Sequence, residues 1–230
     1  MDLSYPPFET IRPDGSPAGI SVEIAKHLGE YLHRPIRIEN VPFAGLILSL
    51  QTHKIDLIIS SMTDTAERRQ SIAFSEPYLK IGLALLIPKG SGIHRVEELN
   101  TAARKVAVRQ GTTAQIWALQ NLPQATILIF EKEAAAVREV TQRRVDAFLY
   151  DQMSIWKYWQ LHQEKCDAIL HQFSHEDWAI GLRKGDTALL TQVNAFLRDF
   201  RKQGGFEKLG NQYLGDQKRA FRELGIPLYF

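Results

Sequence analysis

Ile55-Asp56-Leu57-Ile58-Ile59-Ser60-Ser61-Met62-Thr63-Asp64-Thr65-Ala66-Glu67-Arg68-Arg69 is the stretch around which this chain is organised. Its first five residues are an apolar run of strand length. Small hydroxyl residues then turn the chain, and a Thr/Asp-led helix carries Arg68 in its opening turns. A strand that empties into hydroxyls, helix N–H groups and an arginine is equipped to hold a small carboxylate. An ordinary strand-to-helix turn with a surface arginine would use the same residue types, so the neighbouring sequence has to decide between the two.

Upstream, Tyr5-Pro6-Pro7-Phe8-Glu9 is a non-helical corner, because its prolines lock φ and remove donors. Met1-Asp2-Leu3-Ser4 before it looks like the end of a strand. Ile20, Ile24, Leu28 and Leu32 recur at helical spacing, Ile36 to Val41 alternates as a strand does, and Ala44 to His53 is helical. With Asp56–Ser60 as the next strand, the order is strand, helix, strand, helix, strand, which calls for a parallel sheet with crossover helices.

Downstream, the apolar run Ile81–Ile87 is stopped by Pro88-Lys89-Gly90, and a second α/β unit follows. Its expected strands are Lys105–Val108, Thr126–Phe130, Asp146–Leu149 and one within Cys166–Phe173; its helices are Ala114–Gln120, Glu133–Arg144 and Met153–His162. Trp178–Arg183 reads as a further strand, and the tail from Leu189 is helical. Two long apolar strands therefore bracket the middle unit. If the tail packs on the first unit, the chain crosses between two lobes twice, as a hinged clamp does. The boundaries expected are residues 1–86 plus 184–230 for lobe 1 and 87–183 for lobe 2, with the hinge near 86–89 and 180–184.

Composition narrows the function classes. At 230 residues and 44% hydrophobic, the chain can bury one large core or two modest ones. A net charge of +2, with scattered basic residues, implies no nucleic-acid footprint. One cysteine, Cys166, excludes an intramolecular disulfide and Cys-based metal sites. No apolar run reaches the roughly 18 residues of a membrane span. No charged-then-apolar leader follows Met1, which suits either a cytoplasmic protein or a trimmed export product.

Catalytic signatures are not found: there is no Gly-x-Ser-x-Gly, His-Glu-x-x-His, Walker loop or Gly-x-Gly-x-x-Gly. None of the seven histidines has a partner at metal-ligand spacing. No catalytic residue, metal or cofactor is expected. Binding is better supported, because three strand ends carry matching polar equipment: Ser60-Ser61-x-Thr63 with Arg68, Arg109-Gln110-Gly111-Thr112-Thr113, and Tyr150-Asp151. In open α/β sheets ligands bind outside the carboxyl ends of strands. Helix N-termini and an arginine suit a carboxylate, an aspartate suits an ammonium, and the combination suits an α-amino acid. Thr112-Thr113 and Asp151 would serve equally as plain N-caps, and Tyr5 and Phe43 as core aromatics.

Asp2-x-x-Tyr5-Pro6-Pro7-Phe8, Phe43-Ala44-Gly45-Leu46-Ile47, Ser60-Ser61-Met62-Thr63 with Glu67-Arg68, Phe74-Ser75-Glu76-Pro77-Tyr78, Gln110-Gly111-Thr112-Thr113 and Asp151 occur in one order along the chain. In this the chain resembles the periplasmic solute-binding proteins of polar amino-acid ABC importers, the type II clamp. The resemblance implies an α/β fold of two lobes, each a mostly parallel sheet flanked by helices and joined by a two-strand hinge. It implies extracytoplasmic work as a monomer, with an ABC permease as partner. Arg68 would hold the ligand carboxylate, helped by the N–H groups of Thr63 and Thr113. Asp151, the Ser61 carbonyl and the Thr63 hydroxyl would hold the ammonium. Tyr5 and Phe43 would flank the side chain, and Asp2 would face its distal end.

Arg109 stands where a glutamine binder of this family has a lysine, and a second cation there would repel a cationic side chain. Ser21 replaces the acid of the family's usual Gly-Phe-Asp. Both departures favour glutamine or a similar neutral polar amino acid. The alternatives are a cationic amino acid or glutamate as ligand, a cyclohexadienyl or arogenate dehydratase on the same fold, or the sensing domain of a receptor.

Overall fold

The computed structural model describes residues 1–226. Two compact units are present: unit 1 is Met1–Lys80 together with the chain from Asp177 onward, and unit 2 is Ile81–Glu176.

Unit 1 opens with a short hairpin, β1 (Thr10–Ile11) and β2 (Pro17–Ala18), and the helix α1 (Ile20–Leu32). Ile20, Ile24 and Leu28 form the fully buried stripe of α1 that their spacing predicts. Gly19 stands before this helix at φ 114, and a Cβ there would lie 2.4 Å from the Phe8 carbonyl oxygen, so only glycine fits. A single 3-10 turn, Phe43–Gly45, leads into α2 (Leu46–Gln51), followed by β3 (Leu57–Ile58), the one-turn α3 (Ala66–Arg69) and β4 (Ala73–Phe74). Leu46, Leu50, Ile58, Met62, Ile72, Phe74 and Ala179 make one core cluster.

The chain leaves unit 1 along β5 (Leu79–Ile81). Unit 2 then contains β6 (Leu83–Pro88), β7 (Lys105–Arg109), α4 (Thr113–Asn121), β8 (Thr126–Phe130), α5 (Glu133–Thr141), β9 (Ala147–Asp151), α6 (Gln152–Leu161) and β10 (Cys166–Ile169). Its five-stranded sheet has the order β10-β6-β9-β7-β8. Every residue of β6 is buried, as expected for an uninterrupted apolar strand between two neighbours. Parallel pairing joins β7 to both β8 and β9, whereas β6 runs antiparallel to β9 and β10. This register brings the carboxyl ends of β7 and β9 to the same edge of the sheet.

The return strand β11 (Glu176–Trp178) is followed by β12 (Gly181–Leu182), then by the helices α7 (Thr187–Lys202), α8 (Gly205–Tyr213) and α9 (Gly215–Glu223). β12 pairs antiparallel with β3 on one side and β4 on the other. α7 packs on α1, with Tyr31 and Phe196 ring centroids 5.6 Å apart.

Two expectations change. The crossings fall at 80/81 and 176/177 rather than near 86–89 and 180–184. Residues 81–86 go to unit 2 because Leu83–Leu86 pair with Phe148–Asp151, and residues 177–183 go to unit 1 because Gly181 bridges Ile58 and Phe74. The alternating segment Ile36–Val41 is not a ladder strand among the described residues. Its backbone bonds are a parallel pair to Met1, Met1 N to Glu39 O and Val41 N to Met1 O, both 2.9 Å.

Candidate functional site

In unit 1 the site residues follow β3. Thr63 pairs with Trp178 in an isolated antiparallel bridge, made by Ala179 N–H to Met62 O at 3.0 Å and Asp64 N–H to Asp177 O at 2.8 Å. In a wide pair of this kind the residue's own N–H and C=O point away from the partner strand. On that far side Arg68 Nη1 donates to the Thr63 carbonyl at 2.7 Å, so the Thr63 amide and the guanidinium stand on one flank of the loop. Arg68 is only 6% exposed, and its guanidinium lies 5.5 Å over the Phe43 ring, a cation–π contact. A planar guanidinium has the fork geometry that matches a carboxylate, and here it is carried on a carbonyl and an aromatic face.

The helix bearing Arg68 is shorter than its sequence suggests. It is one turn, capped by Thr65, whose Oγ1 accepts the Arg68 N–H at 3.1 Å. A one-turn helix contributes little dipole, so what this turn offers is the arginine side chain and the backbone of Thr63. Its neighbour Arg69 is exposed and paired with Asp64.

Tyr5 is buried, stacked on Phe8 at 5.6 Å and edge-on to Trp178 at 5.9 Å. It belongs to an aromatic cluster of unit 1, and Phe8 and Trp178 are members that sequence reasoning did not single out. Ser60 Oγ accepts the Asp2 N–H at 2.9 Å. The Asp2 carboxylate accepts from Ser4 on Oδ1, at 2.6 Å from the hydroxyl, and from the Phe43 N–H on Oδ2 at 2.9 Å. Asp2 thus fixes the turn that presents Phe43, in addition to any ligand role.

Glu9, which the sequence did not single out, lies against two residues of these segments. It is completely buried, and its carboxylate accepts from the hydroxyls of Ser21 and Ser61, the latter at 2.9 and 3.2 Å. Burial drives its pKa up to about 8 against the lowering pull of both serines. Ser61 is held at φ 50, the left-handed region, where a non-glycine residue costs about 1–2 kcal/mol. The available signal was an acid closing an aromatic-proline corner, which is weak.

In unit 2 the site residues stand at the ends of β7 and β9. Gly111 turns the chain at φ 75, and Thr112 caps α4, its Oγ1 accepting the Gln115 N–H at 3.4 Å. The first-turn amides of Thr113 and Ala114 have no backbone acceptor among the described residues, as expected for a helix N-terminus. Asp151 ends β9, is 6% exposed, and caps α6 through Oδ1, which accepts the Ser154 N–H at 2.9 Å. Its capping and binding readings are compatible, since the cap uses one carboxylate oxygen.

Arg109 is a correction. It is 4% exposed, and its Nη1 donates to Glu133 Oε1 at 2.9 Å and to the Tyr150 hydroxyl at 3.1 Å. Glu133 also accepts from the Tyr158 hydroxyl at 3.0 Å. Burial pushes the Glu133 carboxyl up to about 7, with Arg109 opposing. The cation expected to repel basic ligands is paired inside unit 2 with a carboxylate at the start of α5. The inference from Arg109 to a neutral ligand therefore loses its footing. Glu133 and Tyr158 were not foreseen, and Tyr150 was read only beside Asp151, because this network forms through the packing of α5, α6 and β9.

A solute-binding α/β protein is the class that this fold and these strand-end polar sets define. The chain belongs to the bacterial extracellular solute-binding proteins, family 3, whose model matches residues 1–216. It is 27% identical over 217 residues to the L-cystine-binding protein TcyJ of Escherichia coli K12, covering 94% of this chain and 81% of that protein. It is 28% identical over 204 residues to the glutamine-binding protein GlnH of Bacillus subtilis 168, covering 87% and 74%. Among solved structures, it is similar to the ancestral amino acid-binding protein AncCDT-1, a precursor of cyclohexadienyl dehydratase, with 34% identity, TM-score 0.84 and 92% of each chain covered. An ancestral arginine-binding protein bound to glutamine is similar at 29% identity and TM-score 0.85, covering 93% of this chain and 95% of that one. Among the described residues no helix is long and apolar enough to cross a membrane.

Proposed function

We infer that this protein binds a polar L-α-amino acid outside the cytoplasm and presents it to an ABC importer. The carrying observation is the buried Arg68 fork beside the Thr63 amide, with Phe43 beneath it. A planar, partly desolvated guanidinium next to a backbone donor matches the two oxygens of a carboxylate. Within unit 2, Asp151 at the end of β9 is an acid that suits an ammonium, and the first turn of α4 after Thr112 offers backbone amides.

Glutamine remains the first ligand to test, on the argument from Asp2 and Ser21 and no longer on Arg109. Arginine is the second, because Arg109 is turned onto Glu133 and Tyr150 inside unit 2. The Asp2 carboxylate, anchored by Ser4 and Phe43, can accept from a side-chain amide or a guanidinium. The test is a thermal-shift panel of the twenty amino acids on the wild type and on Arg68→Ala. Binding should raise the wild-type melting temperature for one or a few polar amino acids, and Arg68→Ala should remove the rise. A flat wild-type panel would overturn the amino-acid reading. Formation of phenylpyruvate from prephenate would instead support the dehydratase alternative.

A further inference from the structure

We propose that Glu9 is a positioning residue for amino-acid binding: its buried carboxylate holds Ser61 in the left-handed conformation that aims the Ser61 carbonyl. This rests on the function inferred above and goes beyond it, because Glu9 is completely buried and acts through Ser61.

The geometry joins three segments at one carboxylate. Glu9 is fixed to Tyr5 by a two-way backbone bridge, Tyr5 N to Glu9 O at 2.8 Å and Glu9 N to Tyr5 O at 2.9 Å. Its side chain takes the Ser21 hydroxyl, from the first turn of α1, and the Ser61 hydroxyl, from the turn after β3. Ser61 is the one residue of that turn with positive φ, and it is not glycine. A left-handed serine persists only where its surroundings over-determine it. Here the hook is the bond from Ser61 Oγ to the Glu9 carboxyl, in a buried cluster that also holds the Tyr78 hydroxyl; the flanking Ser60 and Met62 are buried. Without the hook, Ser61 returns toward an extended conformation, and rotation of its peptide turns the carbonyl away. Ser21 supplies the second hydrogen bond that keeps the Glu9 carboxylate in place.

The test is a cycle of four proteins: wild type, Glu9→Leu, Ser61→Gly, and the double variant. Leucine removes the acceptor, and glycine adopts positive φ without any hook. Dissociation constants for L-glutamine and L-arginine are read by calorimetry. Glu9→Leu should weaken the better ligand about tenfold, equivalent to about 1.4 kcal/mol. In the Ser61→Gly background the same change should cost less than about twofold. Equal losses in both backgrounds, or no loss in either, would overturn the proposal. Should Glu9→Leu fail to fold, Ser61→Ala against Ser61→Gly asks the same question. Alanine has neither hook nor freedom, and should bind about tenfold more weakly than glycine at that position. Equal affinities would refute it. If the wild type binds neither probe nor any other amino acid, the functional reading has failed instead.

Discussion

Arg109→Leu separates the two roles that Arg109 has been given. In the structure its guanidinium neutralises Glu133 at 2.9 Å with both side chains buried, and Glu133 keeps Tyr150 and Tyr158 as further partners. Removing one member of a buried pair leaves the other charge uncompensated, at about 3–5 kcal/mol. The cost depends on pH. The raised Glu133 pKa, about 7, means that the wild-type carboxyl is neutral well below that value and ionised above it. Without Arg109 the folded-state pKa rises further, so each pH unit above about 7 adds about 1.4 kcal/mol to the penalty until the new pKa is reached. The loss should be about 2 kcal/mol at pH 6, from lost hydrogen bonds and packing, and about 4 kcal/mol at pH 8.5. Urea unfolding followed by tryptophan fluorescence reads this well, because Trp117, Trp156 and Trp159 all lie in unit 2. Arg109→Leu with Glu133→Leu should recover most of the stability. A penalty independent of pH would refute the reasoning. So would unchanged stability accompanied by a new preference for cationic amino acids, which would return Arg109 to the ligand.

Asp151→Asn should keep the α6 cap, since asparagine caps as well as aspartate, yet lower amino-acid affinity at least about tenfold through loss of the ammonium's partner; unchanged affinity in calorimetry would remove Asp151 from the site. Glu9 has a folded pKa raised to about 8, so its stability contribution is fully present below about pH 4.5 and is lost as pH rises to about 8. Glu9→Gln should therefore flatten that part of the stability–pH curve, and an identical slope in both proteins would contradict a neutral buried Glu9. Gly19→Ala should cost about 3 kcal/mol in urea unfolding, because the new Cβ meets the Phe8 carbonyl at a positive φ. A loss below about 1 kcal/mol would mean that the corner before α1 relaxes easily.

Elements with strong local patterns were legible in the chain itself. β8 spans Thr126–Phe130 as expected, and α1 buries the residues its periodicity marks. Both are decided by neighbours a few positions away. Segment Ile36–Val41 has the alternation of a strand yet pairs only with Met1, because a ladder needs partners that alternation does not specify. The domain boundaries slipped for the same reason: Ile81–Ile87 and Trp178–Leu182 are recognisable as strands, but which sheet takes them depends on their hydrogen-bonding partners.

The candidate site divides along the same line. Arg68 and Thr63 lie five positions apart, so the fork that joins them is a local feature of one turn, and the sequence alone could place it. Thr112 and Asp151 are caps readable from the residues that follow them. Arg109 meets Glu133 across 24 positions, and Glu9 meets Ser61 across 52. The charge that Arg109 presents, and the conformation that Ser61 adopts, are set by groups within about 3 Å in a desolvated interior, where electrostatic interactions are strongest. Sequence determined which polar groups stand at the strand ends, an arginine after β3 and an acid at the end of β9. Only tertiary packing decided which charges are already neutralised and which residues hold the others in position.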